Sequence, residues 1–263
     1  MAAAIALSSA ASSMACGLTA DFSGLQGGTR DAGVADVGNP LQGDGGDTAS
    51  PDAGFCASLV TPVHLCADFD EGAAVGAGWS ATDVSQGQSA TVDFTYYSPP
   101  GSFLSVISAD DSPASARLQE DLPIDTPHVH VEFEMLLPTF DGNLEVCTLH
   151  EPVADGTTYG LFYKYQDGNL LVFVRSLDDD GGEVDYTGQI GPPPATWLHV
   201  EIDTDVSESA TIVVKHDGVV VLSATDVNTS TLTRGSMFVE LGFYAFDPAT
   251  TLAHFDNVIV DWL

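Results

Sequence analysis

Residues 197–222 read WLHVEIDTDVSESATIVVKHDGVVVL. Leu198, Val200 and Ile202 alternate with His199, Glu201 and Asp203, the period of two that gives a strand one buried and one wetted face. The polar run Thr204–Ser209 turns the chain and Ala210–His216 makes a second strand. Asp217-Gly218 is a type I′ hairpin signal, after which Val219–Leu222 returns antiparallel.

The same grammar extends in both directions. From His128 to Leu137, Val129, Val131, Phe133, Met135 and Leu137 point one way, while His128, His130, Glu132 and Glu134 point the other. Leu144–His150 is apolar on both faces, with Leu144 and Val146 on one and Cys147 and Leu149 on the other, a pattern expected of a central strand. Thr158–Tyr165 carries Tyr159, Phe162, Tyr163 and Tyr165, and Gln166-Asp167-Gly168-Asn169 turns it into Leu170–Arg175. Further strands are expected near Leu65–Phe69, Ala90–Tyr97, Phe103–Ser108, Ala114–Glu120, Val184–Thr187, Met237–Phe246 and Ala253–Trp262. About thirteen strands at this spacing, with no helical periodicity, predict an all-β antiparallel sandwich over 55–263.

The chain has 263 residues, enough for one large β domain and a tail. Its 38 Asp and Glu against 6 Lys and Arg give a net charge of −32. Such a surface repels nucleic acid and anionic membranes, whose phosphates are bound through Lys and Arg. No stretch reaches the roughly 20 apolar residues of a membrane span. Residues 1–16 end in Ser13-Met14-Ala15-Cys16, which resembles a bacterial lipobox with Cys16 as the lipidated residue, although Ser13 stands where leucine is usual. Residues 17–54 are rich in Gly, Asp and Ala without periodicity, the composition of a disordered tether. These features predict an exported, monomeric protein of the cell envelope, or a secreted one, that meets the membrane only through its lipid. Oxidising conditions there favour a Cys56–Cys66 disulfide, with Cys147 a small buried hydrophobe.

Cys66-Ala67-Asp68-Phe69-Asp70, Trp197–Ile202, Asp217-Gly218 and Phe255-Asp256-Asn257-Val258-Ile259-Val260 resemble the concanavalin A-like lectin/glucanase superfamily, in the style of its laminin-G-like bacterial members. The resemblance implies a two-sheet jelly roll with first and last strands adjacent and a concave face that often holds glycans. It also implies a structural Ca2+ ion near that junction, where Asp68, Asp70 and Asp256 would supply oxygens.

Catalytic motifs of the fold are incomplete. Glu183-Val184-Asp185 begins a laminarinase-type set, but its second glutamate falls on Gly188. Gln189-Ile190 begins an alginate-lyase-type triplet whose histidine is replaced by Gly191. No catalytic residue is therefore assigned, and a non-catalytic glycan-binding module is expected. Its candidate ligand-binding residues are His130, Glu132, Tyr159, Tyr163, Lys164 and Arg175, since sugars use flat rings and charged or amide groups. The alternatives are a diverged glycoside hydrolase or polysaccharide lyase using Glu132 or Glu134, and a structural or adhesive surface domain.

Overall fold

The structure is a computed structural model that describes residues 54–70, 74–85, 88–108, 113–152, 158–177, 183–229, 237–247 and 250–263. The tether and Cys16 lie outside these. Apart from one helical turn, α1 (Phe55–Ser58), the regular structure is all strand, in two antiparallel sheets.

The first sheet, sheet A, runs in the order β13 (Val219–Val227), β12 (Ala210–His216), β11 (Leu198–Asp205), β6 (His128–Thr139), β15 (Thr251–Trp262), β4 (Ser102–Ile107) and β3 (Ser89–Asp93), with β1 (Leu65–Ala67) also paired to β15. Sheet B runs β10 (Glu183–Gly191), β9 (Asn169–Leu177), β8 (Thr158–Gln166), β7 (Leu144–Pro152), β14 (Met237–Ala245), β5 (Ala114–Leu122) and β2 (Ala81–Val84). The C-terminal strands β14 and β15 insert between strands formed much earlier in the chain, as jelly-roll topology requires. The expected adjacency of first and last strands is present, with Cys66 opposite Ile259.

The alternations predicted for β6 and β11 hold, since Val129, Val131, Phe133, Met135, Leu198, Val200 and Ile202 are all buried. Asp217 and Gly218 have φ of 49° and 74°, the left-handed pair a type I′ turn requires. Phe255 sits at the centre of the core, with ring centroids 5.7 Å from Phe103, 5.9 Å from Phe133 and 6.3 Å from Phe243.

Three expectations are corrected. The strand near Ala90–Tyr97 stops at Asp93, and Phe94–Gly101 is a loop. The short strand near Val184–Thr187 is nine residues long. In β7 a register shift between Glu145 and Cys147 changes the phase of the alternation, so Leu144, Val146, Cys147 and Leu149 all belong to the core. A bulge admits one extra residue and sets the pattern out of step.

Cys56 and Cys66 are joined in a disulfide, and Cys147 is a buried free thiol whose pKa burial pushes up to about 12. The three aspartates expected to approach calcium accept backbone N–H groups. Asp68 takes that of Cys56 (3.0 Å), Asp70 that of Gly101 (3.2 Å), and Asp256 those of Tyr97, Ser98 and Asn257 (3.0, 2.8 and 2.8 Å). Among the described residues no three His, Cys, Asp or Glu side chains are arranged to hold a metal ion.

Because Phe255 joins both sheets through aromatic contacts, Phe255→Ala is expected to cost about 3–5 kcal/mol in urea unfolding. A loss under about 1 kcal/mol would show that the core does not close around this ring.

Candidate functional site

The six Lys and Arg of this chain are Arg30, Arg117, Lys164, Arg175, Lys215 and Arg234. Three of them, Arg117, Lys164 and Arg175, line one groove of about 840 Å³ on the outer face of sheet B. In a chain of net charge −32, that placement concentrates positive charge in one groove.

Strand alternation builds the groove. On β14, Met237, Val239, Leu241, Phe243 and Ala245 enter the core, which turns Phe238, Glu240 and Tyr244 to the other face. On β7 the bulge leaves Glu145, Thr148 and His150 facing outward beside them. Arg117 comes from β5, opposite Gly242. Gly160 lies opposite both His150 and Arg175. A Cβ there would stand 2.3 Å from the Leu149 carbonyl oxygen and 2.6 Å from the His150 Cβ, so only glycine allows β8 to approach β7 this closely.

Glu240 is the polar centre. Its Oε2 accepts from the Arg117 guanidinium, from Thr148 Oγ1 at 3.2 Å and from His150 Nε2 at 2.7 Å. Arg117 also donates to Asp83 at 2.8 Å, which fixes its planar head from two sides. A carboxylate can only accept, so the His150 proton facing Glu240 sits on Nε2. His150 Nδ1 is buried and has no partner among the described residues. The Tyr244 ring lies under the Arg117 guanidinium at 4.8 Å, and burial raises its hydroxyl above the usual tyrosine value against the opposing pull of that cation. Tyr244 therefore keeps its proton at neutral pH. Glu145, facing Lys164 at 3.4 Å, is also raised by burial.

The residues expected from sequence divide between different surfaces. Lys164 and Arg175 are in the groove. Tyr163 is not: it precedes Lys164 by one position, points to the opposite face, is fully buried, and bonds His216 Nε2 at 2.8 Å. Tyr159 lies on β8, and its side chain is outside what the structure describes. His130 and Glu132 are on the outer face of sheet A, where cross-strand pairs form a charged ladder. His130 meets Asp203 at 2.8 Å and Glu132 at 3.4 Å, His199 meets Glu134 at 3.0 Å, His128 meets Asp205 at 3.1 Å, and Lys215 meets Glu201 at 2.5 Å. The Glu132 hydrogen bond, offset by burial and helped by Asp203, raises His130 to about 9, and that same bond holds Glu132 below its ordinary value. Period-two reasoning pairs neighbours within a strand but cannot say which sheet shares a groove.

Arg117, His150, Glu240 and Tyr244 escape a motif reading because they come from β5, β7 and β14. The usable signal was the scarcity of cations, since Arg117, Lys164 and Arg175 all fall on alternating strands.

No family model matches the chain, and no curated protein matches it. Solved structures do. The chain is similar to an endo-β-1,4-glucuronan lyase from the fungus Trichoderma reesei, with a TM-score of 0.60 at 11% identity over 76% of this chain and 95% of that one. It is similar to the cellulose induced protein Cip1 (TM-score 0.56, 18% identity, 74% and 96%) and to the alginate lyase Aly36B (0.51, 10%, 75% and 96%). At these identities the likeness establishes the fold, a jelly-roll sandwich of the concanavalin A-like class.

The ladder on sheet A generates a pH dependence. With its folded value raised above the ordinary 6.5 to about 9, His130 contributes stability that is complete below pH 6.5 and lost as pH rises through about 9. For this partly exposed group the loss is on the order of 1–3 kcal/mol. Urea midpoints of the parent are expected to fall across that window, and those of His130→Ala to fall less. Parallel pH curves for the two proteins would refute the assignment.

Proposed function

We propose that the groove of sheet B is the active site of a polysaccharide lyase acting on a uronate-containing polymer. The observation that carries this reading is the convergence of Arg117, His150 and Tyr244 around Glu240 in a groove holding half of the chain's Lys and Arg. Solved structures of the same fold include a glucuronan lyase and an alginate lyase, which supports it.

Elimination needs three things of the protein. The uronate carboxylate must be neutralised so that the adjacent C5–H can be broken; Arg117, held rigid by Glu240 and Asp83, supplies that charge. A base must accept the C5 proton; His150, with Nε2 on Glu240 and Nδ1 buried, does not face the groove for this and instead holds Glu240 and Arg117 in position. An acid must protonate the glycosidic oxygen as the C4–O bond breaks; the raised Tyr244 hydroxyl donates there. The C5–H electron pair becomes the C4=C5 double bond, the base gains one proton and the leaving oxygen another, and no water is consumed.

A specific observation favours a second reading. Glu145 is a buried carboxyl with a raised value, as a hydrolase acid requires. The two separate by product. The expected result is an unsaturated uronate, seen by its ultraviolet absorbance, with Tyr244→Phe lowering kcat by about 10²–10⁴-fold and His150→Ala lowering it less, through loosened support of Arg117. Saturated reducing ends abolished by Glu145→Gln would instead identify a hydrolase. Binding of uronan with no product at all would leave a glycan-binding module.

We also propose export with lipidation at Cys16, motivated by Ser13–Cys16 ahead of a Gly/Asp-rich segment. Mass spectrometry of the native protein should find an N-terminus at a diacylated Cys16; an unmodified chain starting at Met1 would overturn it.

A further inference from the structure

Lys164 occupies an unusual place for a charged side chain. Its ammonium lies 5.0 Å from the ring centroid of Phe162, 4.9 Å from that of Phe173 and 5.0 Å from that of Phe246. Aromatic faces attract a cation through their quadrupole, yet they offer no lone pair to its three N–H donors. Glu145, at 3.4 Å, is the one carboxylate within ion-pair distance among the described residues. The rings thus hold the charge still at the groove wall without satisfying its hydrogen bonds. Arg175 stands on the other side of the same rings, 5.4 Å from the Phe173 centroid, and pairs with Asp185 at 3.1 Å. Side-chain exposures of 37% and 43% make that pair a surface one, of the weak, solvent-screened kind.

Register fixes the spacing. Phe162 is opposite Phe173, Lys164 is opposite Leu171 and Arg175 is opposite Gly160, so the backbones of Lys164 and Arg175 flank the aromatic pair roughly 13 Å apart along the strands, while their charged heads both lean over Phe173. Tyr244, Glu145 and Lys164 lie in one row across β14, β7 and β8, which puts the Lys164 backbone roughly 10 Å from that of Tyr244. That separation leaves room for a neighbouring sugar between the two backbones.

We propose that Lys164 and Arg175, with Phe162 and Phe173 between them, form a second carboxylate-reading subsite, so that the preferred polymer carries uronates on consecutive sugars. The proposal rests on the reading of the groove as a uronan site. A uronate carboxylate takes the donors of one of the cations held against these rings, while the next uronate is held at Arg117.

The test uses the full chain carrying Tyr244→Phe, so that polymer is bound without being cut. Its probes are polyglucuronate and alginate, each native and with about half of its carboxyls chemically reduced to the neutral sugar. Calorimetry should show the native polymer bound about tenfold or more tighter than its half-reduced form. Adding Lys164→Gln or Arg175→Gln should bring that ratio close to one. In the active background, the same substitutions should raise KM for native polymer more than they lower kcat. An unchanged ratio in folded variants would overturn the proposal, as would equal loss of both polymers. Arg175→Gln, at a partly exposed position, keeps the test available should Lys164→Gln not fold. Absence of unsaturated product from the parent would overturn the lyase reading alone, and the binding ratio would still decide for or against this subsite. Failure of the parent to bind any native uronan would overturn both.

Discussion

Glu240 is 3% exposed, and the removal of such a charge from water costs several kcal/mol unless it is fully paired. One oxygen, Oε2, receives Arg117, Thr148 and His150 from two other strands. That need for compensation ties β5 and β7 to β14 at one point. It also dictates the rest of the groove: Arg117 must lie flat to reach Glu240 and Asp83, which sets it over Tyr244, and His150 must present Nε2 to the carboxylate. The chemistry assigned to these residues depends on an arrangement the fold maintains for electrostatic reasons of its own.

The groove works against the field of the molecule around it. A chain of net charge −32 repels a polyanion at long range, so attraction must come from local cations. Salt screens interactions beyond roughly 10 Å at 0.1 M, while close, partly buried pairs are affected much less. Arg117, at 11% side-chain exposure, and Lys164, at 17%, are the groove cations whose close interactions salt screens least. The outer face of sheet A has the opposite character, since each histidine of its ladder is matched to at least one carboxylate.

Much of the fold was legible in the sequence because it depends on local periodicity. Val129 to Leu137 and Leu198 to Ile202 state their buried faces directly, and Asp217-Gly218 states its turn. The first strand's place beside Ile259 followed from resemblance. What could not be read was phase and convergence. The bulge after Glu145 shifts every later residue of β7 by one, so His150 reaches the groove although its neighbours look evenly apolar. Tyr163 and Lys164 are adjacent in sequence and opposite in space. Arg117, His150 and Tyr244 are separated by long stretches of chain, and only the insertion of β14 between β5 and β7 brings them together.

The central claim is that sheet B, at Arg117 and Tyr244, is where a uronate chain is held. The most direct measurement is a crystal structure of Tyr244→Phe with a uronan tetrasaccharide. The account predicts a sugar carboxylate hydrogen-bonded to Arg117, with the adjoining glycosidic oxygen facing residue 244. Oligosaccharide seated on the outer face of sheet A, against His130 and Glu132, with the sheet B groove vacant, would contradict it.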